Sequence, residues 1–108
     1  MHEMSIATAI VDACAERAAG ARVLRVRIEI GQLAAALPDA LRFCFDVCAH
    51  GTAVEGAELE ILEIPGRGRC EDCGATLALA MPFGRCDCGG FARIVGGEEL
   101  RVKDMEVA

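Results

Sequence analysis

The sequence predicts an α+β fold, a small three-stranded sheet with two helices, carrying a cysteine-bearing insert ahead of the last strand. Three observations carry this. Apolar residues recur at helical spacing in two segments. They alternate with charged residues in two others. Four cysteines then fall in a glycine-containing stretch, after which a strand-like pattern resumes.

The first helix is expected from residue 4 to about 19. Ile6, Ile10, Cys14 and Ala18 recur every four residues, with Ala7, Val11 and Ala15 beside them, while Asp12, Glu16 and Arg17 fall largely off the stripe. Ser5 is a candidate cap, and Gly20 stands where helices stop. Residues 22 to 31 predict a strand, with Leu24, Val26, Ile28 and Ile30 alternating with Arg25, Arg27 and Glu29. Pro38 and Asp39 open a second helix to about residue 50, since proline and an acid both suit a first helical turn. Its core face is Leu41, Phe45 and Cys48, with Cys44 and Val47 adjacent, and His50-Gly51 ends it. Leu59, Ile61 and Ile64 among Glu58, Glu60 and Glu63 predict a second strand. Pro65-Gly66-Arg67-Gly68 is a break. The insert runs to about residue 96, and Leu100 and Val102 lead the last strand.

The chain has 108 residues and a formal net charge of −6. That length suits one small domain or a small domain with a minor attachment, and a core of this size benefits from a staple such as a metal. The acidic balance argues against a general phosphate-backbone binder. No basic start leads into an apolar run, and no stretch approaches the roughly 18 to 20 apolar residues that span a membrane. The expectation is a cytoplasmic protein with no membrane association. In a reducing compartment, seven cysteines are thiols or metal ligands rather than disulfides.

Cys70-Glu71-Asp72-Cys73 is a C-x2-C pair followed by Gly74, and Cys86-Asp87-Cys88 precedes Gly89-Gly90. Two spacer residues let a tight turn aim both sulfurs at one ion. Four thiolates form a closed tetrahedral zinc site. The insert has few large apolar residues, so metal binding would supply its folding free energy. The expected division is residues 1–66 with 97–108 as one discontinuous α+β domain, and 67–96 as a zinc-ribbon-like, zinc-binding domain. An iron site, or Asp72 or Asp87 replacing a thiolate, are the alternatives for the same residues. Cys14, Cys44 and Cys48 lie on apolar helix faces and are expected in the core.

The chain opens Met1-His2-Glu3. An α-amine, an imidazole and backbone nitrogens can converge on one cation, and a nitrogen-rich site suits Ni(II) or Cu(II). Equally, such a start is ordinarily solvated, and the helix dipole opposes a cation there.

Several segments together resemble the HypA/HybF family, the nickel metallochaperones of [NiFe]-hydrogenase maturation. They are Met1-His2-Glu3-Met4-Ser5, Ile28-Glu29-Ile30-Gly31-Gln32-Leu33, Leu41-Arg42-Phe43-Cys44-Phe45-Asp46-Val47, Gly56-Ala57-Glu58-Leu59-Glu60-Ile61 and Gly97-Glu98-Glu99-Leu100-Arg101-Val102. The resemblance spans nearly the whole chain in order. It implies a transient Ni(II) cargo held by His2, with Met1 and Glu3 contributing through the amine and backbone nitrogens, and a structural Zn(II) on Cys70, Cys73, Cys86 and Cys88. It implies a GTPase of the HypB kind as partner, and the [NiFe]-hydrogenase large-subunit precursor as recipient. Family members carry C-x2-C in both halves, whereas this chain has one residue fewer between Cys86 and Cys88.

Two other readings remain. One is a zinc ribbon that binds nucleic acid or protein, against which residues 67 to 96 show no basic stripe interleaved with aromatics. The other is an iron-binding redox protein on the four cysteines. An enzyme is the least supported class, for no nucleophile and base form a recognisable pair, and a four-thiolate zinc has no open position for water. No nucleic-acid partner is expected, and the chain is expected to be a monomer or a weak homodimer.

Overall fold

The computed structural model describes residues 2–108. The elements run α1 (His2–Ala18), β1 (Val23–Gly31), α2 (Pro38–Ala49), β2 (Glu58–Ile64), β3 (Arg67–Cys70), β4 (Thr76–Ala78), β5 (Ala92–Gly96) and β6 (Leu100–Val107). They form two three-stranded sheets, ordered β2-β1-β6 and β4-β3-β5. The chain divides into two compact units. The first ends its opening stretch at Glu29 and adds Ala36–Leu62 and Arg101–Ala108; the second is Ile30–Ala35 with Glu63–Leu100. The α+β class and the sheet of three strands with two helices are as expected, and the insert proves to have a sheet of its own.

In the first unit, α1 packs on α2. α1 buries Ala7, Ile10, Val11, Cys14 and Ala18, the stripe that helical spacing marks out. α2 buries Leu41, Cys44, Phe45 and Ala49. Burying each large side chain here contributes about 1.5–3 kcal/mol relative to exposure. Cys14 and Cys44 are core, and burial raises the Cys14 thiol above its ordinary value. Cys48 is half-buried, 3.4 Å from the Met4 sulfur and 3.4 Å from Thr8 Oγ1, so it serves the contact between the helices.

α1 begins at His2, two residues earlier than expected, which places Ser5 inside the helix rather than at its cap. Its stop is as expected near Gly20, where Ala19 and Gly20 both take positive φ. α2 starts on Pro38, with Leu37 as its cap residue and no side-chain capping bond.

β1 sits at the centre of its sheet. The hydrogen bonds flanking it and β2, Val23 N to Ala53 O and Gln32 N to Ile64 O, advance together along both strands. β1 and β2 are therefore parallel, and α2 is the crossover between them. Against β6 the direction reverses. Arg25 pairs with Glu106, Arg27 with Asp104 and Glu29 with Arg101, so one number falls as the other rises. Val26, Ile28 and Ile30 are buried as the alternation predicts. Leu24 is not, at 45% exposed, and Val23 is buried in its stead.

The second unit has little apolar interior. Its buried apolar side chains are Ile30 and Leu79, joined by Cys70 and Cys86. Leu79 lies directly on Gly68 and Gly84, and a β-carbon at either would collide with it. Gly31 and Gly97 meet so closely that a side chain on Gly31 would overlap the Gly97 carbonyl. That approach is fixed by the bonds from Leu33 N to Gly97 O and from Gly31 N to Glu99 O.

Candidate metal centre

Two turns in the second unit carry the four cysteines. The first follows β3. Cys70 N donates to Ala75 O at 2.8 Å and Gly74 N to Cys70 O at 3.0 Å, which folds the C-x2-C segment back on itself. The amides of Asp72 and Cys73 then point at the Cys70 sulfur, 3.4 and 3.5 Å away. The second turn holds Cys86 and Cys88. Gly89 N donates to Cys86 O, Cys86 N donates to Gly90 O, and Gly89 takes φ +94. This glycine-assisted reversal is what the missing spacer residue requires. Gly90 lies against the first turn, where a β-carbon would come 2.8 Å from Cys70 Sγ.

The four sulfurs converge. Cys70 and Cys88 Sγ are 3.5 Å apart, Cys73 and Cys86 3.6 Å. All four lie within 4.8 Å of one another. A tetrahedron with Zn–S bonds of about 2.3 Å has sulfur–sulfur edges of about 3.8 Å, so the set fits the ion. A disulfide would need about 2.05 Å, and all four are free cysteines. C-x-C therefore still brings both of its sulfurs into the cluster. Cys70 and Cys86 are buried while Cys73 and Cys88 are exposed, which leaves one side open to an arriving ion.

The electrostatics are uneven. The amides of Cys73 and Asp72 bring the Cys70 thiol down to about 7. At Cys88 the Gly90 amide lowers the value, but the sulfurs of Cys70, Cys73 and Cys86 outweigh it and push the thiol up to about 12. Cys73 is also raised; the Ala75 amide pulls down and the sulfur of Cys86 pushes up. Thiols confined this closely resist losing every proton unless a cation sits among them.

The other predicted site residues lie in the first unit. Met1 falls outside the described residues. His2 is exposed on the first residue of α1. The amides of the first helical turn have no carbonyl within the helix to donate to. Glu3 turns its carboxylate away to a different task, accepting the Leu37 amide at 3.1 Å. That bond, then the amide of Glu3 itself, lowers its pKa. Nothing in the sequence signalled this contact, because the partner lies 34 residues along the chain. His50 pairs with Glu55 at 3.2 Å beyond the end of α2. Among the described residues, the four cysteines are the one cluster of metal-ligating side chains.

Comparison with known proteins places these features in a family. The family model described as "Hydrogenase/urease nickel incorporation, metallochaperone, hypA" matches residues 1–107. A protein named hydrogenase maturation factor HypA from Nostoc punctiforme is 54% identical over 108 residues, covering 99% of this chain and 96% of that one. Its namesake from Geobacter metallireducens is 49% identical, covering 99% of both. Two solution structures share the fold. One, of a HypA protein, has a TM-score of 0.73 at 24% identity and covers 100% of this chain and 97% of its own. The other, of the Ni metallochaperone HypA from Helicobacter pylori, scores 0.69 at 24% identity, covering 97% and 96%. The descriptions are those of a maturation factor and metallochaperone, not of an enzyme. This chain belongs to the HypA family of hydrogenase maturation factors.

Proposed function

We propose that this chain binds Ni(II) at its amino terminus and delivers it to the [NiFe]-hydrogenase large-subunit precursor, in the cytoplasm and with a GTPase of the HypB kind. The observation that carries this reading is the family match running from residue 1 to 107, which includes the Met1-His2-Glu3 start. In this reading His2 supplies its imidazole, Met1 its amine and Glu3 its backbone nitrogen. The exposure of His2 suits capture and release. The Glu3 carboxylate, occupied by Leu37, is not needed as a ligand. An open site of few ligands suits handover better than a closed cage. The chain acts as a monomer or weak homodimer, and no helix is long and apolar enough to cross a membrane.

Cys70, Cys73, Cys86 and Cys88 hold a structural Zn(II), which supplies folding free energy to residues 67–96. Residues 1–66 and 97–108 form the nickel-binding domain. Four thiolates also suit iron. A colourless protein with one zinc per chain supports the zinc assignment, and visible absorbance in freshly purified protein would replace it.

The test is calorimetry of nickel binding to zinc-loaded protein with its native, untagged start, beside His2→Ala. One nickel per chain, lost in the variant while zinc stays at one per chain, is expected. Equal binding by both proteins removes the terminal site. Nickel affinity falls in acid, because an amine with a reference pKa of about 8 and an imidazole of about 6.5 must both lose protons to bind.

A further inference from the structure

The strands of the second unit place like charges together in a way the fold itself does not use. β3 alternates exposed Arg67 and Arg69 with buried Gly68 and Cys70. β5 alternates exposed Arg93 and Val95 with half-buried Ala92 and Ile94. The two strands are antiparallel, and Arg69 stands directly opposite Arg93. Cross-strand neighbours have β-carbons about 4.5–5.5 Å apart, and like charges so placed are destabilising. Arg67 lies two residues further along the same face. Phe91 precedes β5 in the same alternation, 62% exposed, and the Arg85 guanidinium covers its ring at 4.7 Å.

Among the described residues, Arg67, Arg69 and Arg93 have no ion pair and no side-chain hydrogen bond. The nearby Glu99 accepts the Gly97 amide on one carboxylate oxygen at 2.7 Å and forms no ion pair with these arginines. Arg67, Arg69 and Arg93, with Arg85 over Phe91, thus cluster on the second unit, in a chain whose formal net charge is −6; Val95 is the unpaired residue of a bulge in β5, where Arg67 stands opposite Gly96.

We propose that this face docks an acidic, extended segment of a partner protein. Arginine binds carboxylate bidentately, and a carboxylate between Arg69 and Arg93 would relieve the repulsion that the free chain carries. Phe91, exposed beside Arg93, offers a contact for an apolar residue next to the acids. The Ala92 amide on the outer edge of β5 is already bonded to Gly84 O, so the segment lies across the arginine face rather than adding to the sheet edge. Nucleic acid fits less well. A duplex presents one charge per about 1.7 Å, tight binders neutralise roughly 6–10 phosphates, and four arginines on an acidic chain fall short of that. The proposal is independent of where nickel binds.

The experiment is a fluorescence anisotropy titration of the zinc-loaded full chain at low ionic strength. The probe is a labelled peptide of about twelve residues alternating Glu and Leu, a length that spans a strand of this size generously. Binding is expected, and it is expected to weaken at least about tenfold in Arg69→Glu/Arg93→Glu, as loss of charge-assisted hydrogen bonds requires. The control Arg17→Glu/Lys103→Glu, with the same change in net charge, binds as the parent does. If the first variant loses zinc, Arg69→Gln/Arg93→Gln takes its place. The proposal is overturned by any of four results: no binding of the peptide, equal binding by parent and variant, tighter binding of an oligonucleotide under the same conditions, or arginine-dependent self-association that excludes the peptide.

Discussion

The two units of this chain reach order by different means. The first has a conventional interior, in which two helices and a sheet bury Phe45, Leu41, Val11, Val26 and Ile28 almost completely. The only large apolar side chains the second buries are Ile30 and Leu79, besides two of its cysteines, and its strands are three to five residues long. Apolar burial stabilises the first at about 25 cal/mol per Å². The second lacks that area, and its chemistry is concentrated at four sulfurs. One unit is a hydrophobic core with charges at its rim; the other is a metal-sized cluster with a thin apolar wrapping.

The largest expected effect separates the two directly. Chelation of the proposed zinc, or Cys73→Ser, should abolish order in residues 63–100, because metal binding in such small units is worth on the order of 10–16 kcal/mol. Amide NMR spectra should keep the resonances of α1 and α2 while those of β3, β4 and β5 collapse. Full retention of the second set would mean that its apolar contacts suffice. The reverse experiment is Phe45→Ala. A loss of about 3–5 kcal/mol in urea unfolding is expected at that fully buried position, with zinc content unchanged.

Gly90→Ala tests the wrapping of the cluster alone. The new β-carbon would press on Cys70 Sγ and the Asp72 carboxylate, so zinc affinity should fall roughly 10–100-fold in a chelator competition. An unchanged affinity would show that the second turn gives way freely. The smallest effect is at the rim of the first unit. The Arg27 guanidinium, bonded to Asp104 at 2.5 and 2.7 Å, lowers that carboxyl below its ordinary value. A depressed folded-state pKa contributes stability above the unfolded value of about 3.9, and that contribution is lost as pH falls through the folded value. The stability gap between parent and Asp104→Asn should therefore be small at neutral pH and vanish in acid. A gap that grows on acidification would contradict the assigned pairing.

The same contrast governs what could be read from the sequence. The stripe of Ile10, Cys14 and Ala18 and the alternation of Val26, Ile28 and Ile30 follow from burial of one face, so the first unit's elements were legible to within a residue or two. Leu24 misled because alternation does not say where along a strand the covered face ends. In the second unit the cysteines were legible and the strands were not. β3, β4 and β5 are too short to show a period, and glycine at 68 and alanine at 78 and 92 leave no hydrophobic signal. The arginines were visible as four scattered charges. Only the register between β3 and β5 makes Arg69 and Arg93 neighbours, and pairing between residues so far apart in the chain has no local signature. The convergence of Cys86 and Cys88 despite their single spacer likewise depends on Gly89 and Gly90 acting together.

The bond from the Leu37 amide to the Glu3 carboxylate has a bearing on how any study of the amino terminus is interpreted. One carboxylate joins the beginnings of both helices, so residue 3 acts as a fastener as well as a neighbour of the proposed cargo site. A substitution there perturbs two things at once: the charge beside His2, and the seating of the chain where α2 begins. Glu3→Gln keeps an acceptor for the amide while removing the charge, and Glu3→Ala removes both. Whatever nickel affinity distinguishes those two variants belongs to architecture rather than to coordination.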